Sequence, residues 1–246
     1  MSKVAFVFPG QGSQSVGMGR EIHDASEAAR AVFEEADRVL GVSLSALCFE
    51  GPDEALRLTE NTQPAVLTTS IALLRALDER ADVYAGHSLG EWSAHVAAGT
   101  LSLEQAVRLV RARGGHMQRA VPVGEGAMAA VMKADEETVA RICGETEGVV
   151  EPANFNSKGQ IVIAGAAQAV AAACASLKEA GARAIPLQVS APFHSSLMRP
   201  AEERVAADLD AIRLCDPSAP VYVNVDATPV LDAAGARDAL IRQVSR

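Results

Sequence analysis

The sequence predicts an α/β protein: a large α/β domain interrupted by a small subdomain of the ferredoxin-like, βαββαβ kind. Three observations carry this. Short apolar runs next to glycine, "VAFVF" (4–8) and "DVYAG" (82–86), each lead into helical periodicity, the alternation from which a parallel sheet with helices on its faces is built. From about residue 121 the order becomes strand, helix, strand, strand, helix, strand, a unit that can fold as its own subdomain. After residue 195 the longer helical patterns resume, which makes the middle stretch an insertion. The large domain is therefore expected over 1–120 and 196–246, and the small one over 121–195.

The elements follow in order. "KVAFVFPGQGSQ" reads as a buried strand, Val4 to Phe8, running into a glycine-rich loop. "EIHDASEAARAVFEEADRVLG" is one amphipathic helix, with Gly41 placed to end it. "QPAVLTTSIALLRALDER" is mostly apolar and reads as an interior helix with Pro64 near its start. "DVYAG" is a short strand, and "LGEWSAHVAAG" a helix stopped by Gly99. "SLEQAVRLVRARGGHMQRAV" is a helix broken or kinked near Gly114 and Gly115. The insertion supplies strands at "GAMAAVM", "GVVEPANFN", "GQIVIAG" and "ARAIPLQVS", with helices at "DEETVARICGE" and "QAVAAACASLKEAG". "RPAEERVAADLDAI", "APVYVNVD" and "GARDALIRQVSR" then give helix, strand and helix. A cleft between the two subdomains is the expected place for a binding site.

Composition narrows the function classes. At 246 residues and 49% hydrophobic, the chain can bury a sizeable core. A net charge of −9 argues against a general nucleic-acid binder. Cys48, Cys143, Cys174 and Cys215 contain no C-x-x-C pair and read as buried thiols in a reducing compartment, not as a disulfide frame or zinc site. The apolar run at the start is cut at Pro9, too short for a signal-peptide core or a membrane span. The expectation is a soluble cytoplasmic protein with no bound metal.

The chemistry centres on Gly86-x-Ser88-x-Gly90. Ser88 falls at a strand-to-helix turn, the context a nucleophile elbow requires. A serine hydroxyl also needs a base, and the chain offers five histidines. His23 lies in a polar helix and reads as solvated, His87 as a packing residue on the far side of the turn, and His95 as a helix-face residue. His116 follows the double glycine and is left without a role. His194, in "VSAPFHSSLM", follows a strand end and a proline-containing loop, and comes after the serine as in α/β-hydrolase-like sites. It is the preferred base. The backbone N–H of Leu89 is the expected first donor to a developing oxyanion. The loop "PGQGSQ" is either the source of a second donor or a plain turn. It is not a phosphate loop, since Gly10-x-Gly12 lacks both the third glycine of a dinucleotide fingerprint and a Gly-Lys-Ser/Thr. Of Arg108, Arg111, Arg113 and Arg119, most are expected on a solvated face. One, near the cleft, would clamp a substrate carboxylate, a group for which a plain esterase has no use.

Seven stretches together resemble the malonyl-CoA:acyl carrier protein transacylases of fatty-acid synthesis and the related acyltransferase domains of polyketide synthases. They are "FPGQGSQ" (8–14), "TENTQPA" (59–65), "GHSLGE" (86–91), "RGGHMQ" (113–118), "GAMAAV" (126–131), "NFNSKGQIVIAG" (154–165) and "APFHSSLM" (191–198). The resemblance implies a hydrolase-like α/β domain with an inserted ferredoxin-like subdomain. It implies that Ser88 accepts the acyl group, that His194 is its base, and that Gln11 and Leu89 supply the oxyanion N–H groups. Arg113 would hold the malonyl carboxylate, and Asn154 and Asn156 would line the cleft. Phe193 and Leu89 resemble the malonyl-selective members, where an aromatic side chain crowds a substituent on the α-carbon.

The implied substrate is malonyl-CoA. The implied partner is acyl carrier protein, bringing its own phosphopantetheine, and no cofactor or nucleic acid is implied. The carrier, being acidic, would dock on a local basic face, in part the arginines of 108–119. The enzyme is expected to be a monomer. The family continues for about sixty residues past Arg246, and the resemblance puts the group that orients the histidine at the start of that segment, together with a further strand of the large sheet. A chain without it would expose apolar sheet edge and lose stability. Two other readings stand beside this one: a serine hydrolase or thioesterase that uses Ser88 and His194 without Arg113, and an inactive carrier-binding protein.

Overall fold

A computed structural model describes residues 3–189 and 191–246. The fold is α/β, with two four-stranded sheets in two compact units. The first unit takes Met1–Gly115 with Val205–Ile241, and the second His116–Arg204 with Arg242–Arg246.

In the first unit β1 (Ala5–Phe8) pairs in parallel with β2 (Val83–Gly86), and β2 with β7 (Val221–Tyr222). β8 (Pro229–Val230) closes the sheet as an antiparallel hairpin on β7. Between β1 and β2 run α1 (Arg20–Ala25), α2 (Glu27–Leu40), α3 (Leu44–Glu50), α4 (Asp53–Leu56) and α5 (Thr59–Leu77). α6 (Leu89–Ala97) and α7 (Leu103–Ala120) follow β2. Phe8, Tyr84, Ala94, Ala98 and Val221 form the core around the strands.

Several local expectations are corrected. The helix expected over 21–41 is two, because Ser26 leaves the helical region at φ −128° and caps α2 by accepting from the Ala29 N–H at 3.3 Å. α5 starts a turn earlier than Gln63, so Pro64 lies inside it. α7 runs unbroken through Gly114 and Gly115. β1 is not a buried strand. It lies at the edge of the sheet, and Val7 is 72% exposed. Cys48, Cys143 and Cys174 are buried free thiols, whereas Cys215 is exposed. Burial pushes the Cys48 thiol up to about 12 and that of Cys143 to about 11, so both stay protonated.

The second unit is built on β3 (Gly126–Met132), α8 (Glu136–Glu145), β4 (Val150–Ser157), β5 (Gln160–Ala166), α9 (Ala167–Glu179) and β6 (Arg183–Pro186). The strand order β4-β5-β3-β6, antiparallel throughout, is the ferredoxin-like arrangement. Its core joins Val131, Ile161 and Ile163 of the sheet to Val139, Ile142 and Leu177 of the helices. The expected strand over 182–190 is shorter, and its last residue, Ser190, lies outside the described residues. α10 (Arg199–Asp210) and α11 (Ala233–Arg242) complete the chain. Among the described residues no helix is long and apolar enough to cross a membrane.

Candidate active site

β2 ends at Gly86 and α6 begins at Leu89, so two residues turn strand into helix. Ser88 takes φ 49° and ψ −101°, a conformation that costs a non-glycine residue about 1–3 kcal/mol. Packing demands the flanking glycines. A Cβ at Gly86 would lie 2.0 Å from the Gly90 carbonyl carbon, and one at Gly90 would lie 2.1 Å from the Phe8 carbonyl oxygen.

The glycine-rich loop lies against the same turn. His87 N–H donates to the Phe8 carbonyl at 3.0 Å, and a Cβ at Gly10 would meet the His87 carbonyl oxygen at 2.4 Å. Gln11, in this loop, is exposed, with Nε2 donating to Thr59 Oγ1 at 3.4 Å. Leu89 buries its side chain and, as the first residue of α6, presents one of the N–H groups a helix cannot satisfy internally. Such amides at a helix start suit developing negative charge.

Of the four arginines, Arg113 stands apart at 1% exposed. Its Nη1 donates to Gln63 Oε1 at 2.8 Å and its Nη2 to Ser88 Oγ at 3.2 Å. Gly114 makes this placement possible. A Cβ there would be 2.7 Å from the Thr59 carbonyl oxygen, so the residue that looked like a helix breaker is a contact between α7 and α5. Burial pulls the Arg113 guanidinium down to about 10, and the nearby Glu91 carboxylate opposes the shift, so it remains a cation at neutral pH. Arg108 instead pairs with Glu104 on the exposed face. Arg111 is half-buried, and Arg119 is exposed and donates to His116 Nδ1 at 3.3 Å.

Three residues of this unit were not anticipated as site residues: Gln63, Glu91 and Asn224. The first two lie inside motifs already singled out. Asn224 sits at the end of the "APVYVN" strand pattern, with nothing local to mark it.

In the second unit, His194 is buried at φ 59°. Its Nδ1 lies 2.7 Å from the Gln243 carbonyl oxygen. A carbonyl only accepts, so Nδ1 carries the proton and Nε2 of the neutral ring is left as a proton acceptor. The orienting group expected past Arg246 is thus within the chain. The loop around His194 is tied on both sides. Ser195 Oγ donates to the Pro192 carbonyl at 2.7 Å, while Ser196 N–H and Oγ donate to the two oxygens of Glu151 at 2.8 and 2.7 Å. Phe193 is buried. Asn154 and Asn156 lie on β4, an edge strand, half-buried and exposed respectively.

The remaining histidines differ partly from expectation. His23 is half-buried rather than fully solvated: its ring packs at 5.0 Å on Phe49 and 5.8 Å on Phe33, with Nδ1 2.8 Å from Asp24. His87 is exposed, although its carbonyl and ring lie over Gly10. His95 is fully buried in α6.

Residues 5–242 match the family described as the acyl transferase domain. The malonyl CoA-acyl carrier protein transacylase of Bacillus subtilis is 51% identical, with 99% of this chain and 79% of that protein aligned. That of Salmonella typhimurium is 49% identical, over 99% and 81%. Among solved structures, an acyl carrier protein S-malonyltransferase from Vibrio cholerae is 47% identical and superposes with a TM-score of 0.97, covering 99% of this chain and 82% of its own. A malonyl-transacylase solved in complex with its type II PKS acyl carrier protein gives 0.96 at 45% identity, over 100% and 82%.

Proposed function

The chain belongs to the acyl transferase domain family, among the malonyl CoA-acyl carrier protein transacylases, and from that premise we propose that it carries malonyl groups from malonyl-CoA to the phosphopantetheine thiol of acyl carrier protein in fatty-acid biosynthesis. The observation that carries the reading is the buried Arg113 guanidinium donating to Ser88 Oγ at 3.2 Å. A cation dried out beside a nucleophile serves an acyl group whose far end is a carboxylate.

The reaction is a double displacement. Ser88 Oγ attacks the thioester carbonyl of malonyl-CoA while His194 Nε2 takes the hydroxyl proton. The N–H groups of Leu89 and Gln11 hold the developing oxyanion. The carbon–sulfur bond breaks, and the CoA sulfur leaves with the proton from His194. In the malonyl-serine the carboxylate lies on Arg113. The carrier thiol then gives its proton to His194 and attacks the ester carbonyl. Malonyl passes to sulfur, and Ser88 recovers its proton. Fixing the acyl group on Arg113 favours the carrier thiol over water through positioning. Phe193 crowds a substituent on the malonyl α-carbon, and Asn154 and Asn156 line the path of the pantetheine arm. The serine hydrolase reading keeps Ser88 and His194 but leaves Arg113 without a use.

Intact-protein mass spectrometry after brief exposure to malonyl-CoA tests this. A malonyl adduct is expected on the wild-type chain, absent from Ser88→Ala and unmatched by acetyl-CoA. An adduct that survives in Ser88→Ala, or equal labelling by acetyl-CoA, overturns the reading.

A further inference from the structure

β2 and β7 pair in register through Tyr84↔Val221 and Ala85↔Tyr222. Beyond that point β2 turns into the elbow and β7 ends, so the ladder has no further backbone pairs. The side chain of Asn224, two residues past Tyr222, takes their place. Its Nδ2 donates to the Gly86 carbonyl at 2.7 Å, and its Oδ1 accepts the Ser88 N–H at 2.6 Å. A primary amide carries an N–H donor and a carbonyl acceptor side by side, the pair that a peptide group would offer a neighbouring strand. Its own backbone N–H is anchored separately, donating at 2.6 Å to Oε2 of Glu91, which is buried in the first turn of α6. The short β7–β8 hairpin backs this residue, with Val223 N–H donating to the Thr228 carbonyl at 3.0 Å.

We propose that Asn224 is a positioning residue for acyl transfer, holding the Ser88 turn in its positive-φ conformation through the Gly86 carbonyl and the Ser88 N–H. The proposal rests on the reading of Ser88 as the nucleophile. With both bonds made, the peptide plane entering Ser88 is fixed, and with it the directions of Oγ and of the Leu89 N–H that follows. Without them a residue at φ 49° is free to relax toward the broad allowed regions. Oγ then moves relative to the acyl carbon, a displacement to which reaction rates are steeply sensitive.

The Asn224 side chain is exposed, so truncating it opens no core cavity, and the backbone bond to Glu91 survives the change. A merely structural role would therefore predict little effect. Asn224→Ala is expected to lower kcat for malonyl transfer about 10- to 100-fold. KM for malonyl-CoA should stay within about twofold, because the Arg113 contacts are untouched, and the unfolding midpoint should be nearly unchanged. Asn224→Asp keeps an acceptor for the Ser88 N–H but sets a carboxylate oxygen, which cannot donate, against the Gly86 carbonyl, and should also fall well below the wild-type rate. A normal kcat in Asn224→Ala, a loss that lies in KM, or a loss matched by a smaller folded fraction overturns the proposal. So does an Asn224→Asp enzyme that keeps the full wild-type rate. Ser88→Ala run alongside separates the two ideas. An adduct that persists there defeats the nucleophile assignment itself, whereas a Ser88-dependent adduct with normal kcat in Asn224→Ala defeats only the role of Asn224.

Discussion

The turn carrying Ser88 and the loop carrying His194 each hold a non-glycine residue at positive φ, 49° and 59°, and they are built by different means. At Ser88 the backbone is hemmed in by backbone: Gly90 against Phe8, Gly86 against Gly90, Gly10 against His87. At His194 the constraints are single hydrogen bonds from short side chains, together with one carbonyl, that of Gln243, on the ring. The first arrangement sets backbone against backbone and leaves the Asn224 amide to tie the Gly86 carbonyl and the Ser88 N–H. The second fixes a ring's tautomer and leaves its loop room to adjust.

The sharpest way to break the comparison is to add one methyl group to each. In Gly90→Ala the new Cβ meets the Phe8 carbonyl at 2.1 Å, with backbone on both sides. Loss of the Ser88 adduct is expected, with destabilisation of about 3 kcal/mol, read by mass spectrometry and urea unfolding. In Gly126→Ala the Cβ meets the Pro192 ring at 2.3 Å, in the loop leading to His194. That loop can shift, so the cost should be smaller, about 1–2 kcal/mol, with the adduct retained. Equal effects would mean that the two turns are not differently built.

The same contrast explains what could be read from the sequence. A turn made of close backbone contacts needs glycines at fixed spacing, so Gly86-x-Ser88-x-Gly90 announced itself, and strand and helix periodicity gave the ferredoxin-like order directly. Gln243 acts through a main-chain carbonyl, which every residue type has, so no letter marks it. Asn224 works by completing a ladder between strands more than a hundred residues apart, and its partner is visible only once β2 and β7 are paired. Gly114 was misread for a related reason. Glycine in a helix signals either a break or a close approach, and the choice depends on α5, which is remote in sequence. The exposure of Val7 and the aromatic packing of His23 are likewise decided by neighbours outside the local pattern.

A smaller effect tests the clamp on the serine side. Arg113→Ala removes both the bond to Gln63 and the cation beside Ser88. Malonyl loading is expected to fall about 100- to 1,000-fold, while labelling by acetyl-CoA persists or rises. Arg113→Lys should recover little, since an ammonium offers no planar fork for a carboxylate. Parallel loss of both acyl groups would mean that Arg113 supports the turn rather than the substrate.

The smallest effect concerns the two buried histidines, one on each side. His194 has the Gln243 carbonyl, whereas neither ring nitrogen of His95 has a hydrogen-bond partner among the described residues. Burial lowers the pKa of His95 from 6.5 to about 4, because a charged ring there would lose its hydration with nothing to replace it. The unfolded chain therefore binds a proton near 6.5 that the folded chain refuses until about pH 4. The stabilising contribution is complete above pH 6.5. It is lost as the pH falls through that window, at up to about 1.4 kcal/mol per pH unit, and the loss levels off below pH 4. His95→Leu removes the proton from both states and should flatten the acid limb of urea-unfolding stability by about one proton's slope, with malonyl transfer at neutral pH little changed. If the limb keeps its full slope, acid sensitivity lies elsewhere, and the unpartnered ring in α6 is better hydrated than its burial implies.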